Sequence, residues 1–302
     1  MTAGKPVAAG ARLRNAITVD VEDYFHVEAF ANHIERDTWG EREVRVVANT
    51  HRLLDMFEQY QVCGTFFVLG WVAERFPQLV KDIAARGHEV ACHGYSHRLV
   101  YKQSRQEFLE ETQRAQRILE DLTGTPVLGY RAASYSIVNK SIWALDVLSD
   151  LGFQYDSSIF PVRHDNYGIP DAKTEPYVHA TANGRGIVEF PLTTKDVFGY
   201  RLPVAGGGYF RLFPYALTRA ALRSINRRER RPFIFYLHPW EIDPEQPRVE
   251  ASWFSRFRHY NNLEKCESRL RGLLEEFEFT SAWNVLSDLN LVGHGNRVKE
   301  AC

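Results

Sequence analysis

Short apolar runs alternate with longer amphipathic segments along most of the chain. The runs at residues 16–19 and 64–70 are long enough for buried strands and too short for helices. The segments between such runs place apolar residues three and four positions apart, and residues 104–122 are the clearest example. Strands that alternate with amphipathic helices predict a parallel sheet with helical crossovers.

The same pattern gives the bounds of the expected elements. Strands are predicted at residues 16–19, 64–70, 89–92, 127–131, 153–156 and 232–237, and helices at residues 43–60, 71–86, 104–122, 141–151, 214–225 and 263–277. From about residue 160 to 210 the pattern changes to loops and short strands. Because the chain has no glycine-rich dinucleotide-binding motif, these strand–helix units favour a closed or nearly closed βα barrel over an open doubly wound sheet.

The remaining sequence properties limit the class of protein. Residues 1–14 are expected to form a flexible leader, and residues 15–302 a single domain with a C-terminal extension from about residue 200. A net charge of −1 predicts no general attraction to nucleic acid or anionic lipid. The four cysteines lack the spacing of a zinc knuckle or a disulfide framework. No apolar run has the length of a signal peptide or a membrane span, so we expect a cytoplasmic protein.

Side chains that could bind a metal or transfer protons follow directly after several predicted strands. His93 and His97 lie four positions apart, a spacing that puts two imidazoles on one face of a helical turn, near enough to share a metal ion. With 11 histidines in 302 residues, chance alone gives about 0.4 such pairs per chain, so the pair needs support. Asp20, Glu22 and Asp23 supply it as an acidic cluster at the end of the first strand.

Arg131 and His238 end two further predicted strands. Each group also has an ordinary explanation: a helix cap or solvated turn for the acids, surface or buried structural histidines, and a surface ion pair for the arginine. In a βα barrel, however, the carboxyl ends of the strands meet at the face where active sites lie. Such residues at four strand ends therefore favour an active site.

Five ordered motifs resemble those of the polysaccharide deacetylase family. These proteins are metal-dependent carbohydrate esterases, so the resemblance implies an α/β fold of the NodB-homology type, a distorted (β/α)7 barrel. The resemblance covers about residues 16–290. The motifs lie at residues 18–23 (TVDVED), 93–97 (HGYSH), 129–136 (GYRAASYS), 155–158 (YDSS) and 237–239 (LHP).

The resemblance implies a divalent metal, Zn²⁺ by preference, held by His93, His97 and one carboxylate. The family commonly has adjacent aspartates in its first motif, base and then ligand, whereas here a valine follows Asp20. Some relatives have an Asp-x-Asp spacing, which would make Glu22 the ligand. Asp23 is the alternative, and the sequence leaves both open.

Catalytic roles are implied in the same way. Asp20 is the expected base toward water, Arg131 is expected to orient that carboxylate, and His238 is the expected acid toward the departing amine. Asp156 is expected to orient or tune His238. Ala133 stands where the third motif often has proline, a change that would loosen the loop without removing the Arg131 guanidinium.

The implied function is removal of acetyl groups from N-acetylated sugars of a bacterial poly- or oligosaccharide. An open groove with Tyr135, Tyr209 and Trp240 as stacking surfaces would support it. Residues 203–212 and 237–241 further resemble deacetylases of bacterial exopolysaccharide clusters that accompany protein-sorting systems, and such a role would allow a lipid-linked substrate. The alternatives are hydrolysis of a small cyclic amide or ureide at the same site, and a catalytically degenerate carbohydrate-binding protein.

Overall fold

A computed structural model describes residues 13–164 and 167–293, so the expected leader lies almost wholly outside the described residues. The strands are β1 (Asn15–Val21), β2 (Thr65–Val68), β3 (Glu89–Cys92), β4 (Gly129–Tyr130), β5 (Tyr155–Asp156), β6 (Tyr177–His179), β7 (Ile187–Glu189), β8 (Thr194–Val197), β9 (Tyr200–Pro203), β10 (Ile234–Leu237) and β11 (Phe279–Thr280). The helices are α1 (Val46–Gln59), α2 (Gly70–Arg75), α3 (Pro77–Ala85), α4 (Arg105–Thr123), α5 (Ala144–Asp150), α6 (Gly207–Leu212), α7 (Tyr215–Ser224), α8 (Trp253–Tyr260), α9 (Leu263–Glu276) and α10 (Ala282–Asp288).

One curled sheet carries the fold. Its strands lie in the order β10-β1-β2-β3-β4-β5-β7-β6, and β11 pairs with the start of β1. Every pair in this sheet is parallel except β6 with β7. Within the described residues, strand pairing leaves β10 and β6 as the two ends. The expected α/β barrel is therefore a half-barrel.

Residues 204–206 continue the curve beyond β10 without forming a strand. The amide of Tyr236 donates to the carbonyl oxygen of Ala205 at 2.8 Å, and Gly206 forms an isolated parallel bridge with Tyr236. A side chain on Gly206 would meet the Tyr236 carbonyl oxygen at 1.9 Å, so this close approach requires glycine. The contact partly spans the opening of the sheet.

The register of the parallel strands brings the predicted chemical residues to one edge. Val19 lies opposite Leu237 in the β1–β10 pair, and Cys92 lies opposite Tyr130 in the β3–β4 pair. The residues that follow these four are Asp20, His238, His93 and Arg131. They therefore share the carboxyl edge of the sheet, where βα barrels place their active sites.

Helix bounds follow the sequence where local signals are strong. The α4 helix begins after a capping box of Ser104 and Glu107 and ends at Gly124 in the left-handed conformation, close to the predicted 104–122. The predicted helix at residues 71–86 is instead divided into α2 and α3. Pro77 begins α3, because proline has no N–H with which to continue α2 and its ring excludes the preceding helical turn.

Helices pack around the sheet and hold its strand ends in place. The α4 helix contacts α2, α3 and β3, and α10 contacts β1. Strands from the last third of the chain, β10 and β11, both pair with β1, so that region completes the sheet. None of the helices described is both long and apolar enough to cross a membrane.

Candidate metal and catalytic site

The structure brings one carboxylate and the histidine pair together. Glu22, His93 and His97 are all buried, and each offers a ligand atom within 4.8 Å of the other two. Oε2 of Glu22 lies 2.8 Å from Nε2 of His97, yet no hydrogen bond of acceptable geometry reaches this buried oxygen. A buried carboxylate oxygen that faces imidazole nitrogens without a hydrogen bond suits a site for a cation.

The orientation of His93 is set by its contact with the backbone of the next strand. Nδ1 of His93 lies 2.8 Å from the carbonyl oxygen of Arg131. A carbonyl can only accept, so Nδ1 carries the proton and Nε2 keeps its lone pair for a metal. Burial lowers the pKa of His93 to about 4, which keeps the imidazole in the neutral form that binds metals.

The loop between the two histidines has an unusual backbone. His97 adopts a φ of 50°, in the left-handed region that a non-glycine residue seldom occupies. Gly94, with a φ of 72°, supplies the other reversal. Such conformations persist where the surroundings enforce them and are concentrated at functional sites. Here they turn the His97 side chain toward Glu22.

The donor set fits a divalent metal. Two imidazole nitrogens with one carboxylate oxygen are the ligands of many catalytic zinc sites, which leave positions open for water and substrate. The charge distribution agrees, because burial raises the pKa of Glu22 but His97, His238 and His93 together lower it well below its usual range. Glu22 is therefore ionised, as a metal ligand must be.

Asp23 lies outside this group, and the expectation of a ligand role for it is corrected. Its Oδ2 accepts from the backbone N–H groups of Arg45 (2.7 Å) and Val46 (2.8 Å), and its Oδ1 accepts from Tyr24 N (2.9 Å). The carboxylate is thus occupied at the first turn of α1. Of the two carboxylates that the sequence left open, Glu22 faces the histidines and Asp23 does not.

Asp20 forms a buried ion pair with Arg131. Nη1 of Arg131 donates to Oδ1 of Asp20 at 2.6 Å and also to the hydroxyl of Thr18 at 2.7 Å. The guanidinium is held further by the backbone oxygen (3.1 Å) and the hydroxyl (3.0 Å) of Ser157. The second oxygen of Asp20 lies 3.8 Å from Nε2 of His238. Arg131 thus fixes one carboxylate oxygen and leaves the other toward the site.

His238 lies across from Asp20 and is held by Glu241. Oε2 of Glu241 accepts from the His238 backbone N–H at 3.0 Å and lies 3.1 Å from Nδ1 of its ring. This places Nε2 of His238 toward the site, 3.6 Å from Oε1 of Glu22. Burial by itself lowers the pKa of His238, but the hydrogen bond and charge of Glu241, together with the charges of Glu22 and Asp20, outweigh it and raise that pKa to about 9. The imidazole is therefore protonated at neutral pH.

Asp156 does not contact His238, and this expectation also needs correction. Its carboxylate accepts from the hydroxyl (2.6 Å) and backbone N–H (3.1 Å) of Ser158 and shares a hydrogen bond with Glu189. β5, which carries Asp156, is separated from β10 by four strands. The carboxylate on His238 belongs to Glu241, three residues along the same segment.

Arg211 is a second residue that the sequence interpretation missed. Its side chain is 2 % exposed, and its Nε donates to Oε1 of Glu241 at 2.7 Å. Its Nη1 donates to the carbonyl oxygens of His259 (2.7 Å) and Asn261 (2.9 Å). A buried guanidinium with these partners holds Glu241 in place and lowers its pKa against the opposing effect of burial. Glu241 and Arg211 both lie inside segments singled out in the sequence, 237–241 and 203–212, but only the fold brings the two side chains together.

A cleft of about 290 Å³ opens onto these groups. Tyr209 lines it and is half-buried. Tyr135 also lines the cleft, but it is only 7 % exposed, its ring packs on that of Tyr236, and its hydroxyl lies 3.5 Å from Oδ2 of Asp20. The indole of Trp240 stacks on the rings of His238 (5.0 Å between centroids) and His259 (4.2 Å) and is only 5 % exposed. Little of either ring is left for a sugar, so the expected stacking roles of Tyr135 and Trp240 are corrected.

Comparison with known families divides the chain into two parts. Residues 38–155 match the family model of polysaccharide deacetylases, and residues 157–287 match a domain of unknown function, DUF3473. A peptidoglycan deacetylase of Helicobacter pylori is 30% identical over 149 residues, which are 48% of this chain and 45% of that protein. A peptidoglycan-N-acetylglucosamine deacetylase of Bacillus cereus is 40% identical over 75 residues, 25% of this chain and 27% of that protein. The chain thus spans less than half the length of these relatives.

Solved structures agree with the fold. A Mycobacterium smegmatis protein described as a polysaccharide deacetylase superimposes with a TM-score of 0.62 at 18% identity, over 96% of this chain and 94% of that one. The Puue allantoinase superimposes with a TM-score of 0.61 at 16% identity, over the same shares, 96% and 94%.

Fold and site together define an α/β half-barrel protein with a candidate metal centre at the carboxyl edge of its sheet. More specifically, residues 38–155 carry the similarity to polysaccharide deacetylases. The resemblance expected from the sequence is confirmed over those residues, and the expected fold class is confirmed.

Proposed function

We infer that the chain is a metal-dependent N-deacetylase, which removes acetyl groups from N-acetylated sugars of a poly- or oligosaccharide and releases acetate. One observation carries this proposal. The Glu22–His93–His97 group opens into the same cleft as Asp20 and His238, so a metal site, a base and an acid face one substrate position.

We propose Zn²⁺ as the metal, with Glu22, His93 and His97 as its ligands. When bound, such a metal brings the pKa of a coordinated water toward roughly 7 and polarises the acetamide carbonyl. Nitrogen and carboxylate donors suit zinc, and the neutral state of His93 suits it as well.

Asp20 is the proposed base that takes a proton from the attacking water. Its Oδ1 is held by Arg131 at 2.6 Å, so Oδ2 is presented in a fixed direction toward the site, 3.5 Å from the Tyr135 hydroxyl. Arg131 is therefore a positioning residue for Asp20.

His238 is the proposed acid that gives a proton to the departing amine. Its pKa of about 9 keeps it protonated at neutral pH, and its Nε2 faces the site. Glu241 binds Nδ1 of His238, which leaves Nε2 as the ring nitrogen that faces the site. Arg211 in turn holds Glu241 in place. Proton removal and proton donation thus come from the ends of two neighbouring strands, β1 and β10, which face the same position.

The substrate follows from the cleft and from the relatives. Tyr209, which is half-buried at the cleft, offers an aromatic face on which a sugar ring can stack. Relatives named peptidoglycan deacetylase and chitooligosaccharide deacetylase support an N-acetylated glycan as substrate. Exopolysaccharide biosynthesis in the cytoplasm, with a lipid-linked oligosaccharide as one acceptor, remains our proposal from the motif resemblance.

The test is acetate release from N-acetylglucosamine oligomers of increasing length, with and without a chelator. We expect release that the chelator abolishes and added Zn²⁺ restores. A parallel reaction with a small cyclic ureide tests the alternative substrate class. Protein with stoichiometric metal that releases no acetate from any N-acetylated glycan would refute the proposal, and turnover of the ureide alone would replace it.

A further inference from the structure

The α8 helix exposes three aromatic side chains to solvent. Trp253 is 77 %, Phe254 60 % and Phe257 42 % exposed, and the rings of Trp253 and Phe257 stack at 5.5 Å. Most other large apolar side chains of the described residues are buried. Contiguous exposed apolar surface of this kind usually marks an interaction site.

This surface reaches the mouth of the cleft. Phe257, on α8, and Leu212, at the end of α6, both line the cleft, and Leu212 is half exposed. The α6 and α8 helices contact each other, so Leu212 and Phe257 lie on neighbouring elements at the mouth of the cleft. We define the α8 face as Trp253, Phe254, Phe257 and Leu212.

Basic side chains accompany the α8 face. Arg256 and Arg258 are exposed on the same helix, and the guanidinium of Arg258 lies 5.5 Å from the ring of Phe254. Neither guanidinium takes part in an ion pair of the described residues. Glu28, a carboxylate that lines the cleft, is paired with Lys102 at 3.3 Å.

We propose that the α8 face binds the surface of an anionic lipid bilayer. Aromatic residues next to arginines are typical of helices that lie at a membrane interface, where rings enter the headgroup region and cations meet lipid phosphates. Phe254, Phe257 and Leu212 offer no polar group to bond sugar hydroxyls, and the exposed charges on α8 itself are Arg256 and Arg258, which suit lipid phosphates. The net charge of −1 means that the attraction is local to this face.

Such binding would bring the cleft mouth to the headgroup layer. A substrate carried on a lipid could then reach the site without leaving the membrane surface. The proposal does not depend on the deacetylase function, because lipid binding is measured without a substrate.

The experiment is sedimentation of the full chain with phosphatidylcholine vesicles, with and without phosphatidylglycerol. We expect binding to the anionic vesicles that weakens as salt is added. The double variant Trp253→Ser/Phe254→Ser should bind at least about tenfold more weakly, since both rings leave the interface. Arg256→Gln should reduce the preference for phosphatidylglycerol while keeping the aromatic contacts.

The matched control is Phe198→Ser/Tyr200→Ser, at the β8–β9 hairpin, because these aromatics are also largely exposed. Thermal melts and acetate release from a soluble oligomer check that each variant is folded. Absence of vesicle binding, or equal weakening by the control variant, would overturn the proposal. So would a dimer, seen by sedimentation velocity, that the Trp253→Ser/Phe254→Ser variant dissociates while vesicle binding is unchanged.

Discussion

The two sides of the candidate site are built in different ways. On the β1 and β3 side, Glu22, His93 and His97 come from two short motifs and converge on one point. On the β10 side, His238 depends on Glu241 and, through it, on Arg211 from α6. The first side presents donors that a metal would neutralise, and the second side neutralises its own charges with buried protein groups.

Because of this difference, substitutions on the two sides should have different effects on metal content and on activity. If the β1–β3 side holds the metal, its variants should change metal content and activity together. The β10 side should change the rate and its pH dependence while leaving the metal in place. The boundary between the two family matches, near residue 156, falls between the two sides.

The largest expected effect is that of His93→Ala. Removal of one of two imidazole donors should abolish bound zinc and acetate release together, as measured by elemental analysis and a coupled acetate assay. The matched control is His33→Ala, at an exposed histidine away from the site. A variant that kept stoichiometric zinc and full turnover would remove His93 from the ligand set.

Asp20→Asn tests the base while it preserves the shape of the side chain. We expect turnover to fall by about 10²–10⁴-fold with zinc retained, because loss of a general base has costs of that size. Asp37→Asn, at an exposed position, is the control and should be unaffected. Loss of zinc in Asp20→Asn would instead make Asp20 a ligand and contradict the division between base and metal site.

Glu241→Gln tests whether the β10 side acts through charge. We expect turnover to fall by about 10- to 10²-fold, at or below the lower end of the cost of removing a general acid. The acid works only while protonated, so activity falls as the pH rises through the pKa of His238, about 9 in the intact protein. Without the negative charge that raises this pKa, the alkaline limb of kcat/KM should move to lower pH.

The control for this prediction is Glu245→Gln, at an exposed carboxylate in the same segment. Zinc content should be unchanged in both variants. If Glu241→Gln loses activity with its alkaline limb in the original place, Glu241 acts only as a packing residue.

Much of the fold was readable because its signals are local. The alternation of apolar runs and amphipathic helices predicted the parallel strands, and the capping box at Ser104 fixed the start of α4. The sequence did not predict that the barrel is open, because this depends on which distant segments lie beside β10. The break at Pro77 was missed in the predicted helix at residues 71–86, although proline at an interior helix position is a local signal that ends a helix.

The site divides in the same way. Asp20 lies near the end of β1, and His93 and Arg131 directly follow β3 and β4, so the parallel register brings them together as expected. His97 follows in the loop after β3. Asp156 was assigned to His238 by resemblance, but β1 to β4 lie between its strand and β10. Arg211 could not be found from the sequence, because its contact with Glu241 depends on the packing of α6.

The smallest effect on activity is expected for Asp23→Asn, which separates two neighbouring carboxylates. Three backbone N–H groups donate to the Asp23 carboxylate. Asparagine replaces one of its two acceptor oxygens by an NH2 group, which cannot accept from these N–H donors. The free energy of unfolding should fall by about 1–3 kcal/mol in chemical denaturation, while zinc content and kcat/KM stay at wild-type values. Glu22→Gln is the paired variant and should lose zinc instead. Zinc loss in Asp23→Asn with Glu22→Gln fully loaded would reverse the two assignments, because the metal would then depend on the carboxylate that anchors α1.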